Sequence, residues 1–146
     1  ASELYRDDTN FRPYPTDIGM LMAACDFSVK KALMEEPSIE DNPSNIILGT
    51  AKGGLYEGLA ADFLIKNGHE KLYFYKHPKS TLEIEFFIIN EDGLIPVEIK
   101  AGRKKANSLN RILENDLIPY GYKMASQNVG VDGKRITLPL YMMMFL

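Results

Sequence analysis

Cysteine is nearly absent from this chain, and a net basic charge, long apolar runs and metal-binding Cys/His sets are missing too. The single cysteine, Cys25, cannot close an internal disulfide, so a reducing, cytoplasmic setting is the simplest expectation. Cys25 itself fits a small buried apolar residue better than a nucleophile. No apolar stretch reaches the roughly 18 residues a membrane span needs, and no signal peptide opens the chain, so no membrane association is expected. The net charge is -3. A protein that grips duplex nucleic acid with its whole surface is usually basic, because phosphate neutralisation dominates affinity. Any contact with DNA or RNA must therefore come from a local basic patch or from a partner. His69 and His77 lack a matching ligand set for zinc. No phosphate-binding G-x-x-x-x-G-K-[ST] loop occurs: Gly49-Thr50-Ala51-Lys52-Gly53-Gly54 has neither the spacing nor a Lys followed by Ser or Thr, so no ATP site of that kind is expected.

What is present has the make-up of one globular domain: 146 residues, 45% apolar and 25% charged. The chain opens on Ala1 rather than methionine, which is expected of a piece of a longer protein, and residues 1–10 are not read as structure. Asp17 can cap a short helix that carries Ile18, Leu21, Met22 and Cys25 at helical spacing. Pro37 and Asp41-Asn42-Pro43-Ser44 mark a loop. Helical periodicity returns over 45–67, broken or bent at Gly53-Gly54 and stopped by Gly68. We read residues 1–44 as an N-terminal extension and 45–146 as the core, with no internal repeat and no interdomain linker.

Past Gly68 the period changes to two. Residues 72–75 read as a strand and 77–80 as a turn; 82–89 read as a strand with Leu82, Ile84, Phe86 and Ile88 on one face. Asn90-Glu91-Asp92-Gly93 is a hairpin signal, and 94–100 is the return strand with Ile95, Val97 and Ile99 on one face. An amphipathic helix is expected over 108–115, with Leu109, Ile112 and Leu113 inward. A strand follows over 120–126, then a turn at Asp132-Gly133 and an apolar terminal segment over 136–146, whose tail 141–146 is suited to core packing or to docking a partner. Helix, meander, helix, strand is an α+β or mixed α/β pattern, and the fold class expected is α/β, a mixed sheet flanked by helices.

The hairpin register is the sharpest inference available. A two-residue turn centred on Glu91-Asp92 sets Glu85 across from Glu98, and one centred on Asp92-Gly93 sets Glu85 across from Lys100. Either choice puts Glu85, Glu98 and Lys100 on one face, whereas a slip by one residue would oppose apolar to charged side chains. Facing carboxylates repel and call for a cation between them. Mg²⁺, or Mn²⁺ in its place, takes oxygen ligands and retains waters for chemistry. Lys100 could then orient an attacking water or offset charge in the transition state, and Glu57 on the preceding helix could supply a third acid. The plainer alternative is a solvated Glu85–Lys100 salt bridge worth about 0–1 kcal/mol.

The order of these residues resembles a PD-(D/E)XK nuclease, a restriction-endonuclease-like core. More closely, the chain resembles domain of unknown function 4143, the C-terminal domain of a group of prokaryotic AAA-type ATPases. The resemblance is carried by the segments 14–21, 54–59 (Gly-Leu-Tyr-Glu57-Gly-Leu), 83–86 (Glu-Ile-Glu85-Phe), 95–102 (Ile-Pro-Val-Glu98-Ile-Lys100-Ala-Gly), 105–109 and 136–141. It departs from the family where Glu85 replaces the usual Asp and where Gly58 replaces the usual Asn after the helix acid. The resemblance implies a nuclease-like core behind a short N-terminal helical extension. Glu57, Glu85 and Glu98 would be metal ligands and Lys100 would be catalytic. Arg103, Lys104 and Lys105, with Lys79 on the neighbouring turn, would form a phosphate-contacting rim for DNA or RNA, or else ordinary solvated loops. The family context adds an ATPase portion as partner and admits a homo-oligomer. Two functions stay open: a metal-dependent nuclease-like domain, and a non-catalytic module that regulates, oligomerises or docks its ATPase.

Overall fold

The computed structural model describes residues 9, 11–34, 43–100 and 106–146; the loop residues Pro37, Asp41 and Asn42 and the basic residues Arg103, Lys104 and Lys105 lie outside it. Three helices come first: α1 (Ile18–Ala24), α2 (Phe27–Met34) and α3 (Pro43–Lys66). Strands β1 (Tyr73–Lys76), β2 (Glu83–Asn90) and β3 (Gly93–Lys100) follow, then α4 (Asn107–Leu113), β4 (Gly121–Ala125), β5 (Gly130–Asp132), β6 (Arg135–Pro139) and a terminal 3-10 helix (Leu140–Phe145). The six strands form one mixed sheet in the order β1-β2-β3-β4-β6-β5. The pairs β3/β4 and β4/β6 are parallel and the others antiparallel. This is the α/β architecture of a mixed sheet flanked by helices, and no helix among the described residues is long and apolar enough to cross a membrane.

Asp17 caps α1 as expected, its carboxylate accepting the Met20 N–H at 2.9 Å. The apolar periodicity of α1 does not translate into burial, however: no residue of α1 is buried, and Leu21 is exposed. Helix α2 was not expected from the sequence, and Leu33 is its buried residue. Helix α3 runs through Gly53 and Gly54 without interruption, contrary to the expected break. Each glycine costs about 1 kcal/mol relative to Ala in a helix interior, but Ala60, Ala61 and Leu64 in the same helix are buried in the main core and anchor it. Gly68 ends α3 at φ 98°. The His69 N–H reaches Leu64 O and the Gly68 N–H reaches Ile65 O, the paired bonds of a Schellman stop.

The β2–β3 turn is centred on Glu91-Asp92, since Asn90 pairs with Gly93, Ile88 with Ile95 and Phe86 with Val97. The register of β1 against β2 shifts between Tyr73 and Tyr75, so β2 carries one extra residue there. That bulge breaks the expected alternation. Phe86 and Ile88 join the core under α3 with Ile95, Val97, Ile99, Met124 and Met143. Ile84 instead packs with Phe87, Ala106 and Leu109 under α4. The two faces of the sheet are thus covered by α3 with the terminal 3-10 helix and by α4. The terminal segment is partly core, with Leu138 and Met143 buried while Tyr141 and Phe145 are exposed.

Two glycines give opposite expectations. A Cβ on Gly54 would meet nothing within 4 Å, so Gly54→Ala should stabilise by about 0.5–1 kcal/mol in denaturant melts. At Gly121 a Cβ would lie 2.8 Å from Leu109 Cδ1, 2.9 Å from Pro96 Cγ and 3.1 Å from Pro96 O. Gly121→Ala should therefore push α4 off the sheet and destabilise by about 1–3 kcal/mol.

Candidate functional site

Alternation along β3 sends Val97 and Ile99 into the α3-side core, so Glu98 and Lys100 point toward α4. Glu98 is 1% exposed and Glu85 7%. Lys100 Nζ lies 2.8 Å from Glu98 Oε1 and 3.4 Å from Glu85 Oε1. The ammonium is therefore held between two buried carboxylates. Beyond the last β2–β3 pair, Phe86 with Val97, the Ile99 N–H donates to Glu85 Oε2 at 3.2 Å. A side chain thus takes a donor that would otherwise serve the ladder.

The second oxygen of Glu98 is also occupied. The Leu109 N–H donates to Glu98 Oε2 at 3.3 Å. Leu109 lies in the first turn of α4, whose N-cap, Ala106, offers no side-chain cap. Glu98 therefore caps α4 from the neighbouring strand and meets the positive end of its dipole. The Glu83 N–H donates to Ser108 Oγ at 3.3 Å, a second tie between β2 and that turn.

Glu57 sits on α3 at the rim, and its nearest partner is not a carboxylate. Arg12, from the segment before α1, lies 3.8 Å from Glu57 Oε2 and makes a close ion pair with Glu83. The Arg12 guanidinium also stacks over Phe74, 4.5 Å from the ring centroid. Tyr14 follows and packs against Phe86 at 5.5 Å between centroids. Gly58 matters here, because a Cβ would lie 2.6 Å from Ile18 Cδ1 and 3.8 Å from Pro15 Cδ. The missing side chain lets the segment before α1 and α1 itself close over α3 beside Glu57.

Of the residues singled out from the sequence, Glu85, Glu98 and Lys100 come together. Glu57 stands near enough to feel Lys100 electrostatically but is engaged by Arg12. Among the described residues no three of His, Cys, Asp and Glu are grouped closely enough to hold a metal ion as the side chains lie. Lys79 is exposed on the β1–β2 turn. Its backbone N–H donates to His77 Nδ1 at 3.1 Å, and no described ion pair or hydrogen bond links its ammonium to the carboxylates. Two residues were missed. Arg12 carried no signal of its own. Lys123 did carry one, as a lone charge inside the apolar strand Gly121–Ala125, and it is 7% exposed on β4, directly beside Glu98 in the parallel register.

With this geometry established, comparison with known proteins adds one finding. The model of a family described as a domain of unknown function (DUF4143) matches residues 52–140. This chain belongs to the DUF4143 family. The matched region takes in Glu57, Glu85, Glu98, Lys100 and Lys123 and leaves out Arg12. No curated protein and no solved structure matches the chain.

The charges of this DUF4143 site are unevenly settled. Burial pushes the Glu85 carboxyl above its ordinary range, with Glu98 and Glu57 adding to the rise and Lys100 opposing it. Glu57 is also raised by burial, against the pull of Arg12 and Lys100. Burial works against a charged Lys100, yet Glu85 and Glu98 together carry it above the ordinary lysine value. A raised carboxyl binds its proton more tightly in the folded state. Its stabilising contribution is complete below the ordinary value of 4.5 and is lost as the pH rises through the raised one. Glu85→Gln should therefore gain stability relative to the parent between acid and neutral pH, measured by urea melts across that range. Parallel pH profiles for the two proteins would contradict this.

Proposed function

We propose that this chain is a PD-(D/E)XK nuclease-like domain that acts on, or binds, the phosphodiester backbone of nucleic acid with the help of a divalent cation, Mg²⁺ or Mn²⁺. The observation that carries the reading is the burial of Glu85 and Glu98 around Lys100 at the bulged end of the β2–β3 hairpin. Buried ionisable groups of both signs at one point are costly to maintain and concentrate at functional sites. The donor set fits the ion chemically, because carboxylate oxygens are what hard divalent cations prefer. Glu85 and Glu98 would hold the ion through the oxygens that now face Lys100, and Glu57 would join once Arg12 releases it. Bound there, the ion would polarise a phosphoryl oxygen and lower the pKa of a bound water. The ammonium of Lys100, displaced a short way, would orient that water, and α4 shields the site from bulk solvent on the Glu98 side. On this reading, the resemblance to domain of unknown function 4143 would make it the C-terminal domain of a AAA-type ATPase.

Two observations favour a second reading. Arg12 already neutralises Glu57 and Glu83, and Glu98 has a structural task as the cap of α4. On that reading the same charges hold the fold together, and the chain is a non-catalytic module that regulates, oligomerises or docks its ATPase.

Metal titration separates the two. Millimolar Mn²⁺ should raise the melting temperature by a few degrees, the size expected for about 1–2 kcal/mol of binding linkage. Glu98→Gln, which keeps an acceptor for Leu109, should abolish the rise, and Arg12→Ala should bring it on at lower Mn²⁺. No rise in either the parent or Arg12→Ala would decide for the second reading. Nucleic-acid binding gives an independent check. Affinity for a short duplex should fall with salt, and replacing Arg103, Lys104 and Lys105 by alanine should lessen the log–log salt slope by about three. An unchanged slope would remove those residues from the interface.

A further inference from the structure

Three charged residues are buried among those described, Glu85, Glu98 and Lys123, and they sit on the adjacent strands β2, β3 and β4. Glu98 and Lys123 are direct register partners. On β4, Met124 packs in the α3-side core and Tyr122 lies against it, so Lys123 faces α4 as Glu98 does. The row therefore reads acid, acid, amine across one end of the sheet.

The two ends of this row are satisfied differently. Both oxygens of Glu98 are taken, one by Lys100 and one by the Leu109 N–H. The ammonium of Lys123 meets a neutral group instead, donating to Gln127 Oε1 at 2.9 Å. No ion pair joins it to a described carboxylate. The next cation along the sheet, Arg135 on β6, is engaged by Asn110 Oδ1 at 2.7 Å and Asp132 Oδ2 at 2.6 Å. Among the described residues Lys123 is thus a buried amine with no ion pair, beside an acid whose oxygens are both engaged. Burial holds the Lys123 pKa below the ordinary lysine value, with Arg135 and Lys100 adding to the fall and Glu98 only partly opposing it. Desolvating a charge against a neutral amide alone is unfavourable, and an incoming anion would remove that imbalance.

We propose that Lys123 is an anion subsite that binds a phosphate group next to the Glu85–Glu98–Lys100 cluster. Gln127 holds the ammonium in place until the anion arrives. The chemistry recognised is a phosphate oxygen, which accepts charge-assisted hydrogen bonds from the ammonium. That this phosphate belongs to a nucleic-acid backbone rests on the reading given under Proposed function; the subsite itself does not.

The test compares melting of the whole chain in inorganic phosphate and in chloride of equal ionic strength. Phosphate should raise the melting temperature of the parent and of Lys123→Arg, but not of Lys123→Met. Gln127→Glu supplies the missing carboxylate internally, so it should fold at least as well as the parent and lose the phosphate response. That variant keeps the test decisive if Lys123→Met does not fold. A phosphate response that survives in Lys123→Met or Gln127→Glu, or that is absent from the parent, overturns the proposal. In a second arm, a short DNA duplex competes with phosphate for the parent. Competition supports a backbone phosphate. A Lys123-dependent phosphate response without competition supports the subsite and counts against nucleic acid as the substrate.

Discussion

Glu98 has almost no contact with solvent, and a carboxylate in that position must be met on every side or it destabilises the fold. Its neighbours are arranged accordingly. Lys100, two residues along the same strand, takes one oxygen and is itself shared with Glu85. The first turn of α4 takes the other. The helix that covers this face of the sheet is thereby placed by a charge on the sheet, and Gly121 permits the close approach that the contact requires. The end of the β2–β3 ladder at Phe86 and Val97 serves the same purpose, since the Ile99 N–H beyond it is taken by the Glu85 carboxylate.

Much of this could be read from residues alone, and the reasons are local. The period-two pattern of β2 and β3, with a turn of Asn-Glu-Asp-Gly, left two registers, both of which bring Glu85, Glu98 and Lys100 together; the structure has the one that pairs Asn90 with Gly93. The Gly68 stop and the Asp17 cap depend on a single residue's backbone freedom or side-chain oxygen, which a sequence displays directly. What escaped depends on partners distant in the chain. Nothing in Ile84 itself foretells that β2 is bulged and that it will face α4. The uninterrupted course of α3 through Gly53-Gly54 is decided by the packing of Ala60, Ala61 and Leu64 rather than by propensity. Arg12 reaches Glu57 and Glu83 across 45 and 71 residues of sequence, a pairing that no periodicity encodes.

The two faces of the sheet differ in chemical character, and the proposed function rests on that difference. On the α3 side the sheet is apolar and serves as core. On the α4 side its end carries Glu98 and Lys100 on β3, Lys123 on β4 and Arg135 on β6, a buried acid followed by cations on the next two strands. Carboxylates able to attract a cation and an amine able to attract an anion stand on neighbouring strands, the combination that a metal-bound phosphate group requires. Arg12 closes the Glu57 side of the cluster, so the segment before α1 and the ion would compete for the same acid.

The central proposal is that Glu85 and Glu98 would share a cation in the place that the Lys100 ammonium occupies. Anomalous diffraction from a crystal grown with Mn²⁺ tests it most directly. The account predicts an anomalous peak within coordination distance, about 2.0–2.2 Å, of one oxygen from each carboxylate, with the Lys100 ammonium displaced from between them. A peak elsewhere, or none, with Lys100 still bridging Glu85 and Glu98, would contradict it.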